Sequence, residues 1–112
     1  MLQTNDGAKS LGGMSLGAGI TYFSVGPLHS YLKDQGAVQY SSATDKEMLE
    51  AYKIIAQTEG ICSALEPMAA AAEIIFRQAK DKPKDYIICL SLCGRGEKDL
   101  DTIQEHIGKD FE

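Results

Sequence analysis

Apolar residues in this chain recur at two spacings, three-to-four and two, broken by glycine, proline and charged turns. Pro27 opens a short helix whose apolar stripe is Leu28, Tyr31 and Leu32, and Gly36 stops it. Val38 to Ser42 alternates and predicts a short strand. Thr44-Asp-Lys-Glu47 has the form of a capping box: the threonine hydroxyl accepts the N–H three residues on, and the glutamate reaches back. It predicts a helix to about Thr58 with Leu49, Tyr52, Ile55 and Ala56 on one side and Gly60 past its end. Pro67 suits the first turn of the next helix, over residues 68–80. Its run Ala69 to Ala72 combines high helix propensity with room for another element to approach. After the polar turn at residues 81–85, Tyr86-Ile-Ile-Cys-Leu-Ser-Leu92 reads as a buried strand. Leu100, Ile103 and Ile107 give a final helix one apolar stripe, with fraying expected over residues 109–112.

The order helix, strand, helix, helix, strand, helix predicts α/β layering around a mostly parallel sheet. Two strands are too few for a stable sheet, so the pattern reads as part of a sheet whose other strands lie elsewhere. Six of the eleven glycines fall at or before Gly26. Glycine loses more backbone entropy on folding than any other residue, so residues 1–26 read as a glycine-rich arm. Two readings of that arm stand side by side: a loop whose backbone closely approaches a ligand or another chain, and a disordered extension. Residues 27–112 read as the α/β portion proper. In open α/β sheets ligands sit beyond the carboxyl ends of strands, which makes Cys93-Gly94-Arg95-Gly96 the ligand-facing point.

Composition narrows the field. The formal net charge of -5 and the scattered Lys and Arg argue against nucleic acid as a partner. No apolar stretch approaches the roughly 18–20 residues of a membrane span. No secretory signal is read at the N-terminus, and a reducing, cytoplasmic setting is expected. Three cysteines in apolar segments make a poor disulfide framework. On a strand, Cys89 and Cys93 would lie roughly 13 Å apart, too far to chelate one metal ion together. Cys62 and Cys89 read as core residues. His29 reads as packing at the edge of its short helix, and Arg95 as a surface charge or an interface ion-pair donor.

Four ordered blocks then resemble one family. They are Gly17-Ala-Gly-Ile with Ser24-Val-Gly-Pro-Leu-His-Ser-Tyr-Leu32; Tyr40 with Ala43-Thr-Asp-Lys-Glu-Met-Leu-Glu-Ala-Tyr52; Glu59-Gly-Ile-Cys-Ser-Ala-Leu-Glu66; and Leu90-Ser-Leu-Cys-Gly-Arg-Gly-Glu-Lys-Asp99. In this order and spacing they resemble the C-terminal part of tryptophan synthase β subunits, fold-type-II pyridoxal-phosphate enzymes, over nearly the whole chain. The resemblance implies a partial three-layer parallel-sheet fold. It sets Cys93 where the family has a serine that bonds the pyridine nitrogen of pyridoxal phosphate, with Gly94 beside it. It sets Glu66 at a carboxylate lying against that cofactor. It sets the backbone carbonyls around Ile20, Tyr22 and Ser24 at a site for a monovalent cation, Na+ or K+. The family condenses L-serine with indole to give L-tryptophan and works with an α subunit.

Departures from the family pattern bear on activity. Thr21 stands where the family has an aspartate of the closing motion. Pro67, Met68 and Ala69 stand in place of two serines and a histidine, Ser63 in place of a proline, and Glu97 in place of an aspartate. The family's Schiff-base lysine and its glycine-rich phosphate loop belong to a portion these residues do not match. None of Lys33, Lys46, Lys53, Lys80, Lys82, Lys84, Lys98 and Lys109 matches the lysine motif. The chain on its own is expected to be inactive, completed by the missing N-terminal portion or by a related β subunit. A non-catalytic interaction module and a decayed remnant of the enzyme remain as alternatives. Locally, Cys93 also reads as a small core residue ending a strand, and Glu66 as a carboxylate favoured at a helix N-terminus.

Overall fold

The computed structural model of the chain describes residues 13–22 and 24–107. Chain contacts divide it into two compact units, one ending at Ser41 and the other beginning at Ser42. Residues 1–12 of the glycine-rich arm and the fraying expected over 109–112 lie outside the described residues.

In the first unit, a 3-10 turn at Ala18–Ile20 is closed by the Ile20 N–H donating to the Gly17 carbonyl at 3.1 Å. The Thr21 hydroxyl donates to the Ala18 carbonyl at 2.8 Å. Helix α1 spans Pro27–Asp34, with proline in its first turn as the sequence predicts. No residue of α1 is buried: Leu28 and Tyr31 are 64% and 60% exposed. Among the described residues the stripe therefore has the right spacing but is largely uncovered, with only Leu32 half-buried. His29 lies edge-on to Tyr40, with Nδ1 and the phenol oxygen 3.1 Å apart.

The second unit is a helical layer. Helix α2 spans Asp45–Glu59 and begins with the predicted capping box. The Glu47 N–H donates to the Thr44 hydroxyl at 3.3 Å, and the Thr44 N–H donates to the Glu47 carboxylate at 2.7 Å. Gly60 ends α2 in the left-handed conformation. Helix α3 spans Glu66–Glu73 and continues as a π-helix through Ile74–Gln78, closed by the Ala79 N–H on the Ile74 carbonyl at 2.9 Å. Helix α4 spans Leu100–Ile107, entered through a 3-10 turn at Gly96–Asp99.

The core lies among α2, α3 and α4. Met48, Ala51 and Tyr52 of α2 meet Met68, Ala71 and Ala72 of α3, and Ile103 and Ile107 of α4 complete it. Met48, Leu65 and Met68 are the large side chains buried most fully. The alanine run does what its size predicts, letting α2 approach α3 closely. The buried face of α2 is rotated from the predicted one: Met48 and Ala51 are buried with Tyr52, while Leu49, Ile55 and Ala56 are half-buried. Leu100 is 48% exposed, so the predicted stripe of α4 is buried only at Ile103 and Ile107.

The two predicted strands are not formed among the described residues. Among the described residues no β-strand is present, and both Val38–Ser42 and Tyr86–Leu92 lack regular secondary structure. A strand exists only through pairing with a neighbour, and β-prone sequence alone does not supply the ladder. Tyr86 and Ile87 are 53% and 85% exposed instead of buried. The cysteines are corrected as well: Cys62 and Cys89 are exposed, not core. Cys89 lies in the partly covered 86–92 segment, and the residues buried after Cys62 are Ser63, Ala64 and Leu65.

Candidate functional site

Two chain segments far apart in sequence meet at the start of α3. The first is the connection over residues 61–65 leading into Glu66. The second runs from Cys93 through Asp99. Gly96 is the point of closest approach: a β-carbon there would fall 2.5 Å from the Cys62 carbonyl oxygen and 2.8 Å from that of Ser63. Only a residue without a side chain admits this approach of backbone to backbone. Gly94 has φ +77, a left-handed conformation, and its β-carbon position lies 3.2 Å from Ala64 Cβ. The Gly-Arg-Gly turn is thus shaped by its contact with the earlier segment.

Charged groups complete the junction. Asp99, 6% exposed, accepts the Leu65 N–H at 2.9 Å, directly before the first turn of α3. The Lys98 ammonium lies 2.8 and 2.9 Å from the two oxygens of Glu66. It lies 2.7 and 2.9 Å from those of Asp99. Its bonds to Asp99, and then to Glu66, hold Lys98 above the usual lysine pKa. Two carboxylates at the beginning of one helix also suit the positive end of its dipole. On the far side, burial pushes the Tyr52 phenol up to about 12, reinforced by the Cys62 thiol and the Asp99 charge.

The structure places the candidate residues as follows. Glu66 is the first residue of α3 and is half-buried against Lys98. Gly94 adjoins Ala64, two residues before Glu66. Cys93 is exposed on the rim immediately before Gly94, at the end of the partly covered 86–92 segment. The segments carrying Glu66 and Cys93-Gly94 are therefore brought together. Ile20, Tyr22 and Ser24 are exposed in the first unit, with Ile20 ending the 3-10 turn. Arg95 is exposed.

Lys98 and Asp99 are the members of this junction that sequence reasoning passed over. An acidic residue just before an apolar-periodic run signals a cap for that run. Asp99 precedes α4 in this way, yet its carboxylate serves α3 from across the fold.

Comparison with known proteins gives one consistent answer. The chain is 44% identical to the tryptophan synthase beta chain of Dinoroseobacter shibae over 111 residues, covering 99% of this chain and 27% of that protein. It is 46% identical to the tryptophan synthase beta chain of a Ruegeria species over 111 residues, covering 99% and 26%. It is also 46% identical to that of Allorhizobium ampelinum over 108 residues, covering 96% and 26%. No family model matches the chain. The chain is thus a segment related to one family of enzyme subunits. It is similar to the C-terminal part of tryptophan synthase beta chains and spans about a quarter of the length of the curated relatives it matches.

Proposed function

We propose that this chain is the C-terminal wall of a pyridoxal-phosphate site of the tryptophan synthase β type, completed by preceding sequence on the same or another polypeptide. The observation that carries the reading is the 86–92 segment. It is apolar and β-prone, it is exposed at Tyr86, Ile87, Cys89 and Ser91 with Ile88, Leu90 and Leu92 only half-buried, and it ends at Cys93 beside the Glu66 junction. An apolar stretch of this kind gains stability by receiving a neighbouring strand.

The residues present suit one part of the cofactor. Cys93 offers a small, weakly hydrogen-bonding thiol to the ring nitrogen, Gly94 lets the backbone approach, and Glu66 presents a carboxylate to the same wall. They do not suit the aldehyde or the phosphate. A lysine that attacks a carbonyl needs a lowered pKa, whereas Lys98, the amine at this junction, is raised and held by two carboxylates. When bound, pyridoxal phosphate supplies the electron sink that lets the β-hydroxyl of L-serine leave so that indole can replace it. This chain's part is to seat the ring edge and exclude water there. The carbonyls of Ile20, Tyr22 and Ser24 would contribute to a Na+ or K+ site, and an α subunit would be the further partner.

A second reading is a non-catalytic partner of a β chain. The fully buried Met68 favours it, since a core side chain fills a place where the resemblance sets a polar residue. One experiment separates the two. The chain is co-produced with the preceding portion of a relative's beta chain and supplied with pyridoxal phosphate, L-serine and indole. The proposal expects co-purification, a cofactor absorbance band and indole-dependent L-tryptophan. Co-purification without tryptophan selects the second reading, and failure to co-purify rejects both.

A further inference from the structure

Lysine and two carboxylates on a chain of net charge -5 would ordinarily be read as solvated surface. At this junction the two carboxylates are shielded, and the ammonium of Lys98, a side chain 48% exposed, caps them from the solvent side. The Glu66 and Asp99 side chains are only 17% and 8% exposed, and one ammonium spans both at 2.7–2.9 Å. Asp99 cannot turn away, because it also holds the Leu65 N–H. The loop that carries Lys98 cannot slide, because Gly96 is seated on the Cys62 and Ser63 carbonyls. Two carboxylates held this close repel each other, and the one ammonium between them offsets that repulsion.

We propose that Lys98 is a positioning residue: it fixes the Glu66 carboxylate, ionised, at the start of α3 and locks the 62–66 segment to the 93–99 segment. A ligand seated on this wall then meets a preset cluster of net charge -1 and spends nothing on ordering Glu66. The role of Glu66 toward the cofactor rests on the function proposed above; the lock itself does not. On the Asp99 side of the cluster, among the described residues, lie the titratable side chains of Tyr52 and Cys62.

The test is a pH titration of the Glu66 side-chain carboxyl carbon by NMR in the full chain, compared with Lys98→Met and Lys98→Arg. Methionine keeps most of the aliphatic stem, so a role limited to packing would leave the titration unmoved. The proposal expects the Glu66 midpoint to rise by about one pH unit in Lys98→Met, a roughly tenfold gain in proton affinity, and to return in Lys98→Arg. An unchanged midpoint in a folded Lys98→Met overturns it. If that variant does not fold, the unaltered chain decides: the chemical shift of the Lys98 side-chain nitrogen, which stays protonated, must change at the Glu66 midpoint, and a nitrogen shift that ignores Glu66 protonation overturns the lock. Both readouts need no cofactor, so failure of the cofactor-facing reading would leave their outcome intact.

Discussion

The carboxylate of Asp99 accepts the backbone N–H of Leu65 at 2.9 Å across 34 positions of sequence, and both groups are buried. That bond ties the entry of α3 to the entry of α4. Asp99→Ala leaves a buried donor without its acceptor and should cost about 1–3 kcal/mol of stability. Asp99→Asn keeps an acceptor oxygen and should cost less. Midpoints of urea unfolding, compared at equal slope, check the order.

Gly96→Ala should destabilise through a rigid clash. Its new methyl would meet the Cys62 and Ser63 carbonyls, backbone that cannot rotate aside, with an expected loss of about 1–3 kcal/mol. Gly26→Ala is the control. Gly26 has φ -65 and open space where the β-carbon would go, so the same change there should be neutral or slightly stabilising. Thermal unfolding of the two variants gives the contrast.

Two side chains set opposite pH limits. The Thr44 backbone and hydroxyl, and then Arg77, hold Glu47 below its ordinary 4.5. A lowered carboxylate pKa adds stability that is present above 4.5 and lost as pH falls through the folded value. Thr44→Ala removes the hydroxyl but keeps the backbone N–H, so it should cost about 1 kcal/mol at neutral pH and only soften this acid limb. Tyr52 is raised from 10.0 to about 12. Its contribution is complete below pH 10.0 and lost as pH rises toward about 12, so Tyr52→Phe should flatten the alkaline limb. Stability measured across pH in the three proteins resolves both.

The chain alone should form no stable covalent adduct with pyridoxal phosphate. Borohydride reduction after incubation, followed by peptide mass spectrometry, should find only scattered, substoichiometric labelling. Stoichiometric labelling of one lysine would show that the amine chemistry resides in these residues after all.

Sequence carried local structure well where local chemistry decides it. The capping box at Thr44, the proline entries of α1 and α3 and the glycine end of α2 all stand as read. It failed where the outcome depends on partners. Tyr86 to Leu92 has strand composition, but pairing is a property of two segments, and the described residues provide no second one. The buried face of α2 shifted toward Met48 and Ala51 because α3 presents small alanines there, which a period count cannot foresee. At the candidate site, the resemblance singled out Cys93, Gly94 and Glu66. Lys98 and Asp99 stayed hidden because their bonds cross more than 30 positions of sequence.

The central claim is that residues 86–92 await a neighbouring strand and thereby carry Cys93 to a shared site. Amide hydrogen exchange over these residues tests it directly, in the chain alone and after pairing with the preceding portion of a relative's beta chain. The account predicts fast exchange across 87–92 in the chain alone and strong protection of the same amides on pairing. Protection already present in the chain alone, or fast exchange that persists in a stable pair, would contradict it.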